Sequence, residues 1–187
     1  MNVTIFKTLT DKSPNYITLE TALQRIASGK QQQLVTELRS GNKELKKSLP
    51  IVLFSGEFSG RNDKDIVNHS GIIVVDFDHI DVNNSKSVLA TDQYVHACWV
   101  SPSGDGLKAL VKITNPERHR DHFRSLEAYF SKHYGLTVDA TGKNEARACF
   151  ESYDPELVFN NYSEKFGGML SEDALEQKVE RRDTYTD

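Results

Sequence analysis

Hydrophobic positions in this chain follow two rhythms, and their order along the sequence predicts an architecture. Alternation with a period of two marks a strand, and a stripe at i, i+3 and i+4 marks a helix. "NVTIFK" reads as a first strand. "TLETALQRIASG" places Leu19, Ala22, Leu23, Ile26 and Ala27 on one helical stripe, with Gly29 as C-cap just past its end. "QQQLVTELRSG" repeats the scheme more weakly and stops at Gly41. "LPIVLFSG" is a strand, "EFSGRND" a loop, and "DKDIVNH" a short helix. Another strand follows, then a short helix at "NSKSVLATD" and a strand at "YVHACWVS". In "LKALVKIT", Leu107, Ala109, Val111 and Ile113 face one way and Lys108, Leu110 and Lys112 the other, which pairs it with "YVHACWVS" as a hairpin around "PSGDG". Asn115 caps a helix with Pro116 at its first position; it runs to about His133 and buries Phe123, Leu126 and Phe130. "LTVDATG" then supplies a loop or strand end carrying Asp139, and "ARACFESYD" a final strand. Mixed helices and strands, with neighbouring strands antiparallel, give an α+β fold rather than a doubly wound sheet.

The strand between these blocks, "GIIVVDFDHID" (Gly71 to Asp81), carries the first candidate chemistry. Val74, Asp76 and Asp78 share one row, and Ile73, Val75 and Phe77 the other. Both rows are apolar until the end, which predicts a central strand covered on both faces. Two carboxylates side by side repel, and a partly buried charge is costly unless paired. A divalent cation would answer both, and hard oxygen ligands two residues apart suit Mg2+ or Mn2+ better than zinc. On that reading, Asp76→Asn removes repulsion and stabilises the metal-free form. The bland alternative is a strand end whose carboxylates cap a turn or face water. His79 and Asp81 read as turn residues.

Composition narrows the setting. The chain has 187 residues, 37% of them hydrophobic and 27% charged, enough for one domain with a real core. A net charge of −4 gives no global attraction to nucleic acid, so any such binding needs a local patch. The opening residues lack the layout of a secretory signal, and no apolar run is long enough to span a bilayer. Cys98 and Cys149 are too few for a disulfide framework or zinc cluster. A cytoplasmic protein without membrane contact is expected. Residues 1–165 form the domain; residues 166–187 are polar and read as a helix or linker leading to a further domain.

Two more segments carry candidate chemistry. "SPSGDGLK" (Ser101 to Lys108) is a hairpin turn at face value. Yet Ser103, Gly104 and Gly106 would let backbone N–H groups approach an anion, with Lys108 adding positive charge. In "VDATGKNEARACFESYD", Asp139 is either a third carboxylate or a surface residue. Arg147 either meets phosphate with its planar fork or pairs with Glu145 or Glu151. Arg61 and Lys143 read as ordinary loop charges. Together the segments are the equipment of metal-dependent phosphoryl or nucleotidyl transfer, in which two metals clamp the attacking and leaving oxygens.

In their order, "SGEFSGRNDKDIVNHSGIIVVDFDHID", "WVSPSGDGLKALVKI" and "VDATGKNEARACFESYDPELVFN" resemble the successive motifs of the archaeo-eukaryotic primase (primase-polymerase) superfamily. The nearest branch is the VirE N-terminal-like domains at the front of mobile-element replication proteins. The resemblance spans about residues 50 to 160. It implies a primase-polymerase core in which an RRM-like antiparallel sheet carries the site and an N-terminal αβ unit packs beside it. It implies a DNA primase/polymerase: a nucleotidyltransferase with nucleoside triphosphates as substrate, a single-stranded DNA template, a two-metal Mg2+ or Mn2+ site, and a helicase or ATPase domain further along the full-length chain. Asp76, Asp78 and Asp139 match the metal-binding catalytic acids. Ser103 and Lys108 fall in the nucleotide-binding motif, and Arg147 is a phosphate or structural contact. Lys108 stands where the family usually has histidine, keeping a cation but losing a titratable ring.

Two other readings fit parts of the pattern. An apolar strand followed by Asp-x-Asp also opens haloacid-dehalogenase-like phosphohydrolases, where Asp76 would be a nucleophile and Asp78 a general acid. Against it, Ile80 stands where Thr or Val is usual, and the motif comes late in the chain. Alternatively, a catalytically inactive primase fold binds nucleic acid or a partner.

Overall fold

The computed structural model describes residues 1–168; the polar segment expected over residues 166–187 lies outside them from residue 169 onward. The strands are β1 (Asn2–Phe6), β2 (Asn15–Thr18), β3 (Ile51–Leu53), β4 (Gly56–Phe58), β5 (Ile66–His69), β6 (Ile72–Asp78), β7 (Val95–Val100), β8 (Gly106–Lys112), β9 (Cys149–Phe150) and β10 (Val158–Phe159). The helices are α1 (Leu19–Ala27), α2 (Gln32–Arg39), α3 (Val82–Leu89) and α4 (His119–Tyr134). Two four-stranded sheets run in the orders β2-β1-β3-β9 and β10-β7-β8-β6, with β4 and β5 as a separate pair. The strand pairs in these sheets are antiparallel, so the fold is α+β as the sequence predicts.

The amphipathic elements form where their patterns place them. Thr18 caps α1 by accepting from the Thr21 N–H, and the helix buries Leu19, Ala22, Leu23 and Ile26. Ser28 is the C-cap itself, with Gly29 following at φ +78°. Asn115 caps a one-turn 3-10 helix, Pro116–Arg118, that leads into α4. Leu107, Ala109 and Val111 of β8, with Ile113 just past its end, pack with Ile73, Val75 and Phe77 of β6 and Phe123, Leu126 and Phe130 of α4. Leu110 of β8 lies in the opposite core with Ile72, Val74, Trp99, Cys149 and residues of α1. The second sheet is thus buried on both faces, α4 beyond one and the first sheet with α1 beyond the other.

Several details depart from the sequence reading. "EFSGRND", read as a loop, begins inside strand β4, which pairs with β5. β6 is covered on both faces but is the last strand of its sheet, not a central one. The chain near Val138 covers its free edge, where the Asp139 N–H donates to the Asp76 carbonyl at 2.9 Å. "DKDIVNH" is a single 3-10 turn at Asp63–Asp65 followed by β5, because an Asn62/Asp65 capping box closes the turn and the β-branched Ile66 and Val67 extend the chain. Gly56 permits the β4–β5 pairing: a Cβ there would lie 1.9 Å from the Asn68 carbonyl oxygen. Finally, Phe166 packs into the α4-side core and its N–H donates to the Lys112 carbonyl at 2.7 Å, so the packed unit runs past residue 165.

Candidate functional site

β6 and β8 pair in a register that sets Asp76 directly opposite Lys108. Both side chains continue the row of Val74 and Leu110, facing the first sheet, and both are nearly closed to solvent: Asp76 is 5% exposed and Lys108 9%. Lys108 Nζ donates to Asp76 Oδ1. Arg147, two residues before β9, donates from one terminal nitrogen to Asp76 Oδ2 at 2.8 Å and to Asp139 Oδ2 at 3.0 Å. Its other terminal nitrogen donates to Thr141 Oγ1 at 3.1 Å. Asp139 is half-buried and caps the 3-10 turn Ala140–Gly142, accepting from the Thr141 N–H at 3.0 Å and the Thr141 hydroxyl at 2.7 Å. Residues far apart in sequence therefore meet in one cluster where the two sheets adjoin.

The electrostatics follow from that packing. Burial works to raise the Asp76 pKa, but the charges and hydrogen bonds of Lys108 and Arg147 outweigh it and hold the carboxyl below its ordinary value. Burial likewise works against the Lys108 charge, yet its neighbours raise it above the ordinary lysine value. Cys149 is among those neighbours, but burial pushes its thiol up to about 11. It is neutral near pH 7, so Asp76 is the operative partner. Burial opposes ionisation of Asp139 too, and Thr141 and Arg147 more than offset it. The two carboxylates predicted to need a metal have thus been separated: Asp76 is compensated by two cations, while Asp78, opposite Gly106, is exposed.

The other candidate residues have definite places. Lys108 lies inside the cluster rather than at an open mouth. Arg147 pairs with Asp76 and Asp139, not with Glu145 or Glu151; Glu151 is held by Arg25. Gly106 is required by the strand pairing, since a Cβ there would meet the Phe77 carbonyl oxygen at 2.3 Å. Gly104 has φ +84°, and its N–H closes the turn onto the Ser101 carbonyl at 3.0 Å. Both glycines are explained without a ligand, and Ser103 is exposed on the turn. Residue His79, at φ 55°, pairs with Asp105 at 3.0 Å and ties the end of β6 to this turn. Sequence reading missed Arg39. From the end of α2 it donates to the Ser101 carbonyl at 2.9 Å and the Tyr153 carbonyl at 3.0 Å, pinning the turn from below. Nothing in its local pattern signals that contact.

As donors for a hard divalent cation, Asp76, Asp78 and Asp139 are of the right kind. Among the described residues, however, no three His, Cys, Asp or Glu side chains are gathered as a set that could hold a metal. Arg147 bridges Asp76 and Asp139 where an ion would draw them together. Asp76 and Asp139 against Lys108 and Arg147 leave the ion-pair cluster neutral, with the Asp78 carboxylate exposed at the end of the same strand.

A family model described as BT4734-like, N-terminal domain, matches residues 44–159, from the approach to β3 through β10. The chain belongs to this family. The match spans the whole cluster, including Asp76, Lys108, Asp139 and Arg147. No curated protein and no solved structure matches the chain.

Proposed function

We propose that this domain is a metal-dependent nucleotidyltransferase of the primase-polymerase type, making or extending primers on single-stranded DNA from nucleoside triphosphates. The observation that carries the reading is the convergence of Asp76, Lys108, Asp139 and Arg147, from three separated motifs, onto the end of β6. The second sheet with α4 on one face would be the catalytic half of a primase core, and the first sheet with α1 and α2 its accessory unit. Its place at the front of a mobile-element replication protein is part of the same proposal, and the family's description as an N-terminal domain agrees with it.

The side chains divide the work. Lys108 keeps Asp76 ionised and aimed along the row. Asp78 offers open carboxylate oxygens, and Asp139 is fixed by its own turn. Arg147 holds Asp76 and Asp139 in the free domain, and its fork suits phosphate oxygens when substrate arrives. An Mg2+ or Mn2+ ion bound by the three acids would supply Lewis-acid stabilisation of charge on those oxygens. A phosphohydrolase using Asp76 as nucleophile is disfavoured, because a salt bridge already holds each Asp76 oxygen.

A second reading has its own support. The charge at Asp76 is balanced by side chains alone, as expected of a primase fold that binds nucleic acid without catalysis. Incubation with labelled nucleotides, single-stranded DNA and Mn2+ or Mg2+ separates the three. A ladder of extended products supports nucleotidyl transfer; phosphate release without a ladder supports hydrolysis. Binding of DNA with neither product supports the inactive module.

A further inference from the structure

Arg61 follows Gly60 in the loop between β4 and the turn at Asp63–Asp65. Its guanidinium lies over the Phe6 ring, with Cζ 5.6 Å from the centroid. No described residue reaches that guanidinium with a hydrogen bond or ion pair, and its Nε is buried without a partner. Arg61 and Arg147 line the same cleft, of about 420 Å³, together with Asn62, Asp63, Thr141 and Asn144. Arg147 makes its bonds to Asp76, Asp139 and Thr141, and its Nε also lacks a partner. Among the described residues, Asp63 is the one carboxylate in the lining. It is already engaged by Arg120 at 2.9 Å and by the Ala146 N–H at 2.9 Å.

Two guanidinium groups on one cleft repel, and a buried donor without an acceptor is unfavourable. A phosphate relieves both, because its charge offsets the two guanidinium groups and its oxygens accept from the unengaged fork of Arg61. The amide and hydroxyl groups of Asn62, Asn144 and Thr141 add neutral donors. We propose that this cleft, beside the carboxylate cluster, binds a phosphoryl group from a nucleotide's phosphate tail or a DNA strand's backbone, with Arg61 as its anchor. The choice of those two sources rests on the nucleotidyl-transfer reading; the binding itself needs neither metal nor turnover.

The test is therefore made in EDTA. Tripolyphosphate, dATP and an oligothymidylate are titrated against the wild type, Arg61→Met, Arg61→Lys and a charge-matched control, Lys132→Met, on the exposed side of α4. Arg61→Met keeps a long side chain over Phe6 and loses the charge. It is expected to weaken binding about tenfold or more, the effect of one charged hydrogen-bonded contact, with the control unchanged. Arg61→Lys, which keeps the charge but not the fork, shows a smaller loss, and carries the test if Arg61→Met lowers the melting temperature. Loss confined to tripolyphosphate and dATP assigns the phosphate tail; loss confined to oligothymidylate assigns the strand. No wild-type binding of any probe, or equal binding by folded Arg61 variants, overturns the cleft. Primer synthesis is measured in parallel. Arg61-dependent binding without synthesis keeps the cleft and removes nucleotidyl transfer, whereas synthesis with Arg61-independent binding does the reverse.

Discussion

Asp76→Asn should destabilise the metal-free domain, the reverse of what two adjacent carboxylates suggest in the sequence. The like-charge term is small. Asp78 is exposed, and charges two residues apart on a strand face interact by under about 1 kcal/mol in a water-like medium. The opposing term is large. Lys108 is 9% exposed and Asp76 is its ion-pair partner, so the amide leaves a buried ammonium uncompensated. Breaking a buried pair from one side costs about 3–5 kcal/mol. For a protein of this length each kcal/mol moves Tm by about 2–4 °C, so the expected drop is about 6–20 °C. Urea titration and thermal melts in EDTA measure it. Because the folded Asp76 pKa is lowered, its contribution is complete above the unfolded value of about 3.9 and drains away as pH falls through the folded value. The raised Lys108 pKa has the opposite sign, its share being lost only as pH rises through the folded value. The difference between wild type and variant should therefore hold across neutral pH and shrink in acid. An Asp76→Asn domain as stable as wild type in EDTA at pH 7 would refute the compensated cluster.

Two further outcomes follow from the packing. Gly106→Ala puts a Cβ against the Phe77 carbonyl and should cost about 1–3 kcal/mol in urea unfolding, with β6 and β8 forced apart at the site. His119 bonds to His69 ring to ring at 3.0 Å, and burial first, then His69, push its pKa down to about 3. That depressed folded value makes stability complete above about pH 6.5 and falling below it, so His119→Asn should flatten the slope between about pH 6.5 and 4.5. An unchanged slope in the variant assigns the acid sensitivity elsewhere.

Much of the fold is legible in the sequence because it rests on local periodicity. The stripe of α1, the alternation of β8 and the cap at Asn115 each specify their element from within a dozen residues. What escaped is short or paired at a distance. β10 has two residues and exists because Val158 and Phe159 lie beside Cys98 and Ala97, and β2 is largely exposed with little pattern to show. The site divides along the same line. The residue types at Asp76, Lys108, Asp139 and Arg147 mark a cluster, but the counter-charge of Asp76 depends on the β6–β8 register, which no spacing along one strand reveals. Lys108 therefore looked like a phosphate ligand when it is first a buried partner of Asp76. Arg61 looked like a loop charge until folding placed it across a cleft from Arg147.

Asp78 separates chemistry from folding, because it is exposed and the salt bridges at the site run between Asp76, Asp139, Lys108 and Arg147. The most direct measurement compares wild type with Asp78→Asn in primer synthesis on single-stranded DNA with Mn2+, alongside thermal melts of both. Nucleotidyl transfer at this cluster predicts a product ladder from the wild type and none from Asp78→Asn, with Tm unchanged. A ladder of equal intensity from Asp78→Asn, or no ladder from the wild type with either ribo- or deoxynucleotides, would contradict it.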